Sequence, residues 1–309
     1  YISATSEKSK KVTKDFLIWT QFGSFCFLLG FLGLIFDTGI ETRIQITNTN
    51  PEKTAKYVWL VLVGLLIKIP VIPFHYWITK VHVEASTSFS IFLSGFLVKT
   101  ASAVLYAITP LMTTYQQTTV TWLLVVSIIT STFMLFAEAD FKRFVAIGTI
   151  QEMGLTTLLL VLTKSLNSSI AGTSLLLHSF ISIIMFWMAD QIYCRLKHRS
   201  LNSTGGLWYV APRTTVFFFI ILFIVRGLPL LFRYNVEMQI FETLMSADTV
   251  LALVLIVTLA VVSNLAVVHR VFKLFFGCPN KNLMPYEVQL PEYMVPLIAI
   301  LPLLYFPFL

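Results

Sequence analysis

Four ionisable side chains lie inside long apolar runs and are the residues best able to do chemistry in this sequence. They are Lys68 in LLIKIPVIPFHYWITKVHVEAS (65–86), Lys99 in FLSGFLVKTASAVLY (92–106), His178 in LLLHSFIS (175–182) and Glu237 in IVRGLPLLFRYNVEMQIFETLM (224–245). A charge at the centre of a bilayer costs about 2.5–3.5 kcal/mol, so such a group normally faces the protein interior, a partner or water. Histidine is also the side chain best suited to exchange protons near neutral pH. The set points to proton transfer within a membrane, with snorkelling lysines and a hydrogen-bonded core histidine as the structural alternatives.

Three further charges within apolar runs are open to more than one interpretation. Glu152, in IGTIQEMGLTT (147–157), can stay ionised in an apolar span only with a partner. Arg233 lies one turn before Glu237 and either pairs with it or lies at the membrane boundary. We expect structural or tuning roles for Arg226 and Arg233.

Two of the apolar runs contain helix breakers beside a charge. Pro70 and Pro73 follow Lys68, and because proline lacks an amide hydrogen, each frees a carbonyl in the preceding turn. In lipid such carbonyls must find protein donors or water. Gly227 and Pro229 interrupt a later run in the same way. Two interrupted helices, each with an ionisable residue, are typical of transporters built from inverted repeats.

The composition defines a membrane protein. Of the 309 residues, 57% are hydrophobic and 12% are charged, whereas soluble domains average about a quarter charged residues. Windows of about 20 apolar residues predict an all-α, polytopic transmembrane helix bundle of about nine helices, two of them Pro-interrupted. The predicted helices cover 15–36, 57–79, 86–109, 119–137, 143–163, 169–193, 214–245, 249–270 and 290–308. We therefore expect a polar, basic N-terminal segment, 1–14, followed by one transmembrane domain, 15–309.

The distribution of basic residues agrees with this helix count. With nine alternating helices, most loop cations fall on one side of the membrane, as the positive-inside rule requires of a matrix or cytoplasmic side. The rich side receives Lys8, Lys10, Lys11, Lys14, Lys80, Lys142, Arg143, Arg195, Lys197, Arg199, Arg213, Arg270, Lys273 and Lys281. The poor side receives Arg43, Lys53, Lys56 and Lys164. We expect the N-terminus to face the matrix or cytoplasm.

Several other classes of protein are disfavoured. The net charge of +7 would indicate nucleic acid in a soluble protein, but here the cations flank apolar runs, so no nucleic-acid partner is expected. The three cysteines, Cys26, Cys194 and Cys278, are isolated, which indicates neither a disulfide framework nor a metal or iron–sulfur site. His75 and His82 have no matching pair on another helix, so a haem site is not expected.

Several stretches, taken in order, resemble the antiporter-like subunits of respiratory NADH:ubiquinone oxidoreductase (complex I). KIPVIPFHYWITKVHVEASTSFS (68–90) is similar to the family motif K-x-P-x-x-x-x-H-x-W-L-P-x-A-H-V-E-A-P, and its HVEA run resembles subunit 4 rather than subunits 2 or 5. The later segments of the family resemble ADFKRFVAIGTI (139–150), HSFISIIMFWMAD (178–190), YCRLKHRSLNSTGGL (193–207) and LPLLFRYNVE (228–237). The resemblance extends from near residue 14 to the C-terminus.

This resemblance implies a central proton axis. Its members are a lysine in the first broken helix, a bridging lysine, a histidine and a terminal glutamate, which correspond to Lys68, Lys99, His178 and Glu237. It also implies that NADH, FMN, iron–sulfur clusters and ubiquinone bind to other subunits and that this chain carries no cofactor and no metal.

The sequence departs from the family pattern at several points. Ile78 and Thr79 replace Leu-Pro, and Ser86 replaces the proline after HVEA. Glu152 stands where subunit 4 usually has a histidine, so it either relocates a proton-uptake branch or is a salt-bridge partner. The first helices of the family, including the one whose glutamate pairs with the first lysine, have no counterpart before Tyr1. We expect either a truncated sequence or a separate polypeptide that supplies them.

The resemblance implies a proton-translocating membrane-arm subunit of complex I, an NADH:ubiquinone reductase. Its expected partners are neighbouring antiporter-like subunits and lipid. The alternatives are a subunit of a multi-subunit Na⁺/H⁺ antiporter and a structural membrane subunit without pumping. The 27 phenylalanines suit a mitochondrial genome of biased composition. We therefore expect the mitochondrial inner membrane, with the bacterial plasma membrane as the alternative.

Overall fold

The computed structural model describes residues 7–39, 50–162, 168–196, 200–201, 206–227, 229, 231–277 and 287–304. Within these ranges every regular element is helical, apart from an isolated bridge between Asp140 and Ser200. Six of the described helices are long and apolar enough to cross a membrane, and shorter apolar helices accompany them. The structure therefore confirms the predicted all-α membrane fold.

The first two predicted segments form an antiparallel helical hairpin. The first helix, α1 (Glu7–Thr38), begins well before residue 15, because the polar residues after Glu7 continue the helix. The second, α2 (Pro51–Lys68), begins where Asn50 accepts a hydrogen bond from the amide of Glu52 (3.0 Å). Pro51 occupies the first helical turn, where its missing amide hydrogen costs nothing.

The helix breaks after Lys68, as the two prolines predict. Residues 69–75 form turns, and α3 (Tyr76–Glu84) continues the segment. The indole Nε1 of Trp77 donates to the carbonyl of Ile67 (2.9 Å). A protein donor thus satisfies a backbone carbonyl that lipid cannot satisfy.

Four long helices form the centre of the bundle. These are α4 (Thr87–Leu111), α5 (Thr114–Ala137), α6 (Phe141–Leu162) and α7 (Ser168–Leu196). Of these, α6 is the most enclosed, because 83% of the residues in its apolar 18-residue stretch are buried, compared with 50% or less in the other three helices. A π-helical segment, Leu93–Leu97, interrupts α4 shortly before Lys99. Such segments are frequent at functional sites.

The second half contains the other predicted break. A single turn, α8 (Leu207–Val210), precedes α9 (Pro212–Val225) and α10 (Phe232–Ala247), and these are followed by α11 (Thr249–Phe276) and α12 (Met294–Leu304). Gly227 has a left-handed φ of 76° at the break between α9 and α10, a conformation that favours glycine. A second π-helical segment, Val257–Ser263, lies within α11. All nine predicted segments therefore contain helix, with shifted boundaries.

The loops predicted to be rich in basic residues meet at one end of the bundle, here called the basic end. They are joined there by contacts of Lys80 with Asp15 (3.1 Å), Lys142 with the Ala85 carbonyl (2.5 Å), the Leu201 amide with the Ala139 carbonyl (2.6 Å) and the Gly206 amide with the Leu274 carbonyl (3.0 Å). The opposite end is joined by contacts of Lys56 with Asp37 (3.8 Å) and Gln117 with the Val161 carbonyl (3.0 Å). The side of the membrane that each end faces stays a prediction.

Candidate functional site

Lys99, which is partly buried, and His178, which is buried, form a hydrogen-bonded pair within the bundle. Nζ of Lys99, on α4, lies 2.7 Å from Nδ1 of His178, on α7. Lys99 also donates to the carbonyl of Ser94, which belongs to the π-helical segment of α4. His178 is only 3% exposed, so it can exchange protons only with protein groups or internal water.

Three buried hydroxyls surround this pair. Oγ of Ser94 lies 3.0 Å from Oγ1 of Thr149 and 2.9 Å from Oγ of Ser182. Ser182 also donates to the carbonyl of His178, one turn earlier on α7 (2.8 Å). Because each hydroxyl can both donate and accept, the cluster forms a polar connection among α4, α6 and α7.

Glu152 of α6 forms an ion pair with Arg233 of α10 (2.7 Å). The side chains are 21% and 10% exposed, so solvent screens the pair only weakly. Of the interpretations that the sequence leaves open, the structure shows Glu152 as a salt-bridge partner. Among the described residues, Arg233 pairs with Glu152 and not with Glu237.

Arg226, at the end of α9, is held by hydrogen bonds. Its Nε donates to Oδ1 of Asn264 (2.7 Å), and its Nη2 donates to Oγ of Ser263 (3.0 Å). Ser263 in turn donates to Oε1 of Gln151 on α6 (3.0 Å). Within the described chain Arg226 forms no ion pair, and its hydrogen bonds fit the structural role expected for it.

Glu237 of α10 packs against the break between α9 and α10. A Cβ atom at Gly227 would lie 2.8 Å from Oε2 of Glu237, so glycine leaves the space that the carboxylate occupies. No cation of the described residues lies within ion-pair distance of Glu237. Glu237 is therefore a carboxyl group beside a helix break, and none of the described residues supplies a counter-ion in direct contact with it.

Two small cavities border these residues. The first, of about 50 Å³, is lined by residues that include Thr149, Glu152, His178, Ser182 and Arg226. The second, of about 10 Å³, is lined by residues that include Glu152, Arg226, Arg233 and Glu237. Since one water needs roughly 10–15 Å³, the first has room for a few waters and the second for about one. Glu152, together with Gln151 and Arg226, borders both the cavity that reaches His178 and the cavity that reaches Glu237.

Lys68 lines neither of these two cavities. It is partly exposed on α2, and its Nζ lies 5.7 Å from the ring centroid of Phe27 on α1. No carboxylate of the described residues lies within ion-pair distance of it. The structure thus brings Lys99 to His178 and places Glu152 beside Glu237, but it does not join Lys68 to this cluster.

The sequence motifs do not single out the neutral polar residues of the site, although Thr149 and Ser182 lie within the family-like stretches 139–150 and 178–190. Among these are Ser94, Thr149, Gln151, Ser182, Ser263 and Asn264. One available signal is the spacing of Thr149, Glu152 and Thr156 on α6, which places three polar side chains on one face of an otherwise apolar helix. The other residues carry no signal of comparable strength.

A membrane-spanning bundle with two broken helices and ionisable residues buried between them defines the class of antiporter-like membrane proteins. Residues 2–263 match the model of the family described as NADH:quinone oxidoreductase/Mrp antiporter, transmembrane. The chain belongs to this family. The resemblance inferred from the sequence motifs is therefore confirmed.

Named relatives agree with this assignment. The chain is 29% identical over 296 residues to NADH-ubiquinone oxidoreductase chain 4 of Paramecium tetraurelia, and the alignment covers 94% of this chain and 62% of the relative. It is 31% identical over 222 residues to NADH-quinone oxidoreductase subunit M of Rickettsia bellii, and this alignment covers 69% of this chain and 45% of the relative. The chain therefore spans about half to three fifths of the length of these relatives.

Two solved structures share the fold. A chain of the archaeal membrane-bound sulfane sulfur reductase, a respiratory membrane complex, superposes with a TM-score of 0.86 at 17% identity, over 98% of this chain and 63% of that one. A chain of the Mrp complex from a Dietzia species superposes with a TM-score of 0.80 at 17% identity, over 96% of this chain and 65% of that one. At this level of identity the likeness shows the fold alone.

Proposed function

We propose that this chain is a proton-translocating membrane-arm subunit of NADH:ubiquinone oxidoreductase (complex I), driven by redox chemistry in other subunits. The observation that carries the proposal is the hydrogen-bonded pair of Lys99 and buried His178 within a membrane-spanning bundle. The names of the relatives, which refer to NADH-ubiquinone and NADH-quinone oxidoreductases, support this assembly.

The Lys99–His178 pair is suited to hold one mobile proton. Two cations only 2.7 Å apart would repel each other strongly, so the pair carries a single proton on one of its two nitrogens. A charge that arrives nearby shifts this proton between Nζ and Nδ1. Moving one charge against 100 mV requires about 2.3 kcal/mol, which one charge–charge contact at low dielectric can supply.

Lys68 and Glu237 are proposed as the two ends of the same axis. Lys68 lies before the first helix break and Glu237 after the second. Lys68 then needs a carboxylate from outside the described residues, which a neighbouring membrane-arm subunit or a separate polypeptide would supply. The exposed apolar side of α1, which includes Phe22, Phe25 and Phe36, suits contact with such a polypeptide or with lipid.

The redox cofactors and substrates of the complex are assigned to other chains. NADH, FMN, the iron–sulfur clusters and ubiquinone are proposed to bind to other subunits, so this chain contributes to the NADH:ubiquinone reductase reaction without redox chemistry of its own. The proposed location is the mitochondrial inner membrane, with the bacterial plasma membrane as the alternative. The named relatives include one from a eukaryote, Paramecium tetraurelia, and one from a bacterium, Rickettsia bellii.

The test is Lys99→Ala in the assembled complex. We expect NADH oxidation to continue and the number of protons translocated per NADH to fall, because the pair loses one of its two proton-binding nitrogens. The measurement is proton uptake by sealed membrane vesicles during NADH oxidation. The matched control is Lys56→Ala, which removes a lysine that is 68% exposed at the opposite end of the bundle. An unchanged proton ratio in assembled Lys99→Ala complex would exclude the proposed axis.

A Na⁺/H⁺ antiporter subunit is the second candidate. The family description includes Mrp antiporters, and the fold matches a chain of an Mrp complex. Purification of the native complex separates the two functions, since the first requires that NADH:quinone reductase activity copurify with this chain. Na⁺-driven proton flux without NADH would instead support the antiporter. A structural subunit without pumping predicts that Lys99→Ala changes neither flux.

A further inference from the structure

We propose that Arg233 is a mobile counter-ion shared by Glu152 and Glu237, and that its movement between the two carboxyl groups transfers one proton from the His178 cavity to Glu237. This inference rests on the proposed proton-translocating function. It makes Glu152 the proton relay between histidine and glutamate and makes Arg233 a positioning residue.

The first observation is the position of Glu152 between the two cavities. The larger cavity reaches His178, and the smaller one reaches Glu237, and both are lined by Glu152. Gln151 and Arg226 also line both cavities, but an amide does not carry protons and arginine stays charged, so of the three only Glu152 can take up and release a proton on the way. Since the smaller cavity holds about one water, a single proton-carrying water can connect Glu152 with Glu237.

The second observation is the position of Arg233 between two carboxyl groups. Arg233 contacts Glu152 at 2.7 Å, and it also lies one turn before Glu237 on the same face of α10. Both carboxyl groups and Arg233 line the same small cavity. A change of side-chain rotamer is therefore enough to move the guanidinium from one carboxylate to the other.

The third observation is that the other cation of the cavity is fixed. Arg226 donates to Asn264 and to Ser263, both on α11, and Ser263 is itself bound to Gln151. Arginine stays charged, so Arg226 provides a constant positive charge that neither carboxyl group neutralises by direct contact. Of the two guanidinium groups, only Arg233 is free of hydrogen bonds to a neutral side chain among the described residues.

The proposed transfer moves one proton and requires one mobile cation, the guanidinium of Arg233. The proposed cycle starts from the observed pairing, with Arg233 bound to the carboxylate of Glu152 and with the proton on Glu237. Glu237 releases its proton outward and becomes a carboxylate, which attracts Arg233 away from Glu152. Unpaired Glu152 then takes the mobile proton of the Lys99–His178 pair, which water in the His178 cavity relays. This proton passes through the smaller cavity to Glu237, and Arg233 returns to ionised Glu152. One proton has then moved, and every group has its starting charge once the Lys99–His178 pair has taken up the next proton.

The experiment compares Arg233→Met, Arg233→Lys and Glu152→Gln in the assembled complex by two measurements. One is the number of protons translocated per NADH. The other is the infrared C=O band of protonated carboxylic acid, assigned to Glu237 through its loss in Glu237→Gln. The matched control is Glu242→Gln, an exposed carboxylate on the same helix, which we expect to change neither.

The two charge-removing variants are expected to change the band in opposite directions. In Arg233→Met both carboxyl groups lack a mobile cation and protonate, so the band should rise about twofold. In Glu152→Gln the guanidinium pairs permanently with Glu237, so the band should disappear. Both variants should lower the proton ratio to the level of Lys99→Ala. Arg233→Lys keeps a mobile charge and should retain both the band and most of the proton ratio.

The outcomes separate this inference from the proposed function. A normal proton ratio in Arg233→Met, with a reduced ratio in Lys99→Ala, would overturn the shared counter-ion and leave the proton axis intact. A normal ratio in Lys99→Ala would reject the proposed function, and the infrared band would still decide the role of Arg233. If Arg233→Met does not assemble, an unchanged band in Glu152→Gln overturns the inference by itself.

Discussion

Ser94 connects the lysine and the histidine of the candidate site through two different groups. Its carbonyl accepts from Lys99, while its hydroxyl bonds to Thr149 and to Ser182. Ser182 then bonds to the backbone of His178. One side chain therefore fixes the relative positions of α4, α6 and α7 at the point where the proton pair forms.

Replacement of Ser94 by alanine should loosen this connection. The hydroxyls of Thr149 and Ser182 would each lose one hydrogen bond inside a buried site while keeping a bond to a backbone carbonyl, which costs about 0.5–1.5 kcal/mol. We expect a lower midpoint of thermal unfolding for the purified chain in detergent and a lower proton ratio in the complex.

Ser102→Ala is the matched control on the same helix. Ser102 is equally buried, but its hydroxyl has no hydrogen-bond partner among the described residues. Its removal relieves an unsatisfied polar atom, so stability should stay the same or rise. Equal losses in the two variants would show that the bonds of Ser94 are not what stabilises the site.

Single residues of the site are predictable from the sequence, but their partners are not. A charge within an apolar run is conspicuous in any sequence window, which is how Lys99, His178 and Glu237 are found. The partners Glu152 and Arg233 are 81 positions apart, and no local pattern specifies their contact. Only the packing of α6 against α10 determines that Arg233 pairs with Glu152 instead of its own neighbour Glu237.

The helices α1 and α2 approach each other closely at glycine residues. A Cβ atom at Gly64 would lie 2.5 Å from the carbonyl oxygen of Gly23 and 2.7 Å from the amide nitrogen of Phe27. A Cβ atom at Gly30 would lie 2.7 Å from backbone atoms of Tyr57 and Val61. Small residues allow such close backbone contact between membrane helices, where dispersion replaces the hydrophobic effect as the main attraction.

Gly64→Val should separate this helix pair. The added side chain meets backbone atoms, which cannot move aside as a flexible side chain can, and overpacking of this kind costs about 1–3 kcal/mol or more. The measurement is thermal unfolding of the purified chain together with the yield of assembled complex. Gly172→Ala on α7 is the control, because a Cβ atom there would have nothing within 4 Å and the substitution should stabilise by about 0.4–1 kcal/mol. Normal stability of Gly64→Val would contradict the close packing.

Helix breaks are predictable from the sequence, whereas π-helical segments are not. Pro70 and Gly227 change the backbone of the turn in which they lie, so the local sequence predicts the breaks that they cause. The segments Leu93–Leu97 and Val257–Ser263 contain the same residue types as the α-helices around them. Their geometry depends on contacts with other helices, and it brings Ser94 and Ser263 into the site.

Contacts at the basic end hold the last helix, α12, to the rest of the bundle. Glu287, shortly before α12, accepts hydrogen bonds from the amides of Arg213 and Thr214 (3.0 Å each) and from the hydroxyl of Thr214 (2.7 Å). The carboxylate thus caps the start of α9 from a distant part of the chain. Nearby, Arg195 of α7 contacts Glu292 (3.3 Å). Together these contacts join α7, α9 and α12.

The cap at Glu287 should make the attachment of α12 sensitive to acid. Partial burial raises the pKa of Glu287, but the hydrogen bonds from Thr214 and Arg213 outweigh it and lower the pKa below its usual value. A lowered native pKa gives stability that is present above the unfolded value, about 4.3, and is lost as pH falls through the native value.

Glu287→Gln should therefore destabilise the purified chain by about 1 kcal/mol at neutral pH, and this difference from the wild type should shrink as pH falls below about 4. Thermal unfolding in detergent across this pH range measures the effect, and hydrogen exchange at the amides of 294–304 locates it. Glu7→Gln, which changes a carboxylate that is 90% exposed, is the control and should have little effect at any pH. A difference that does not depend on pH would show that the carboxylate charge at Glu287 does not hold α12 in place.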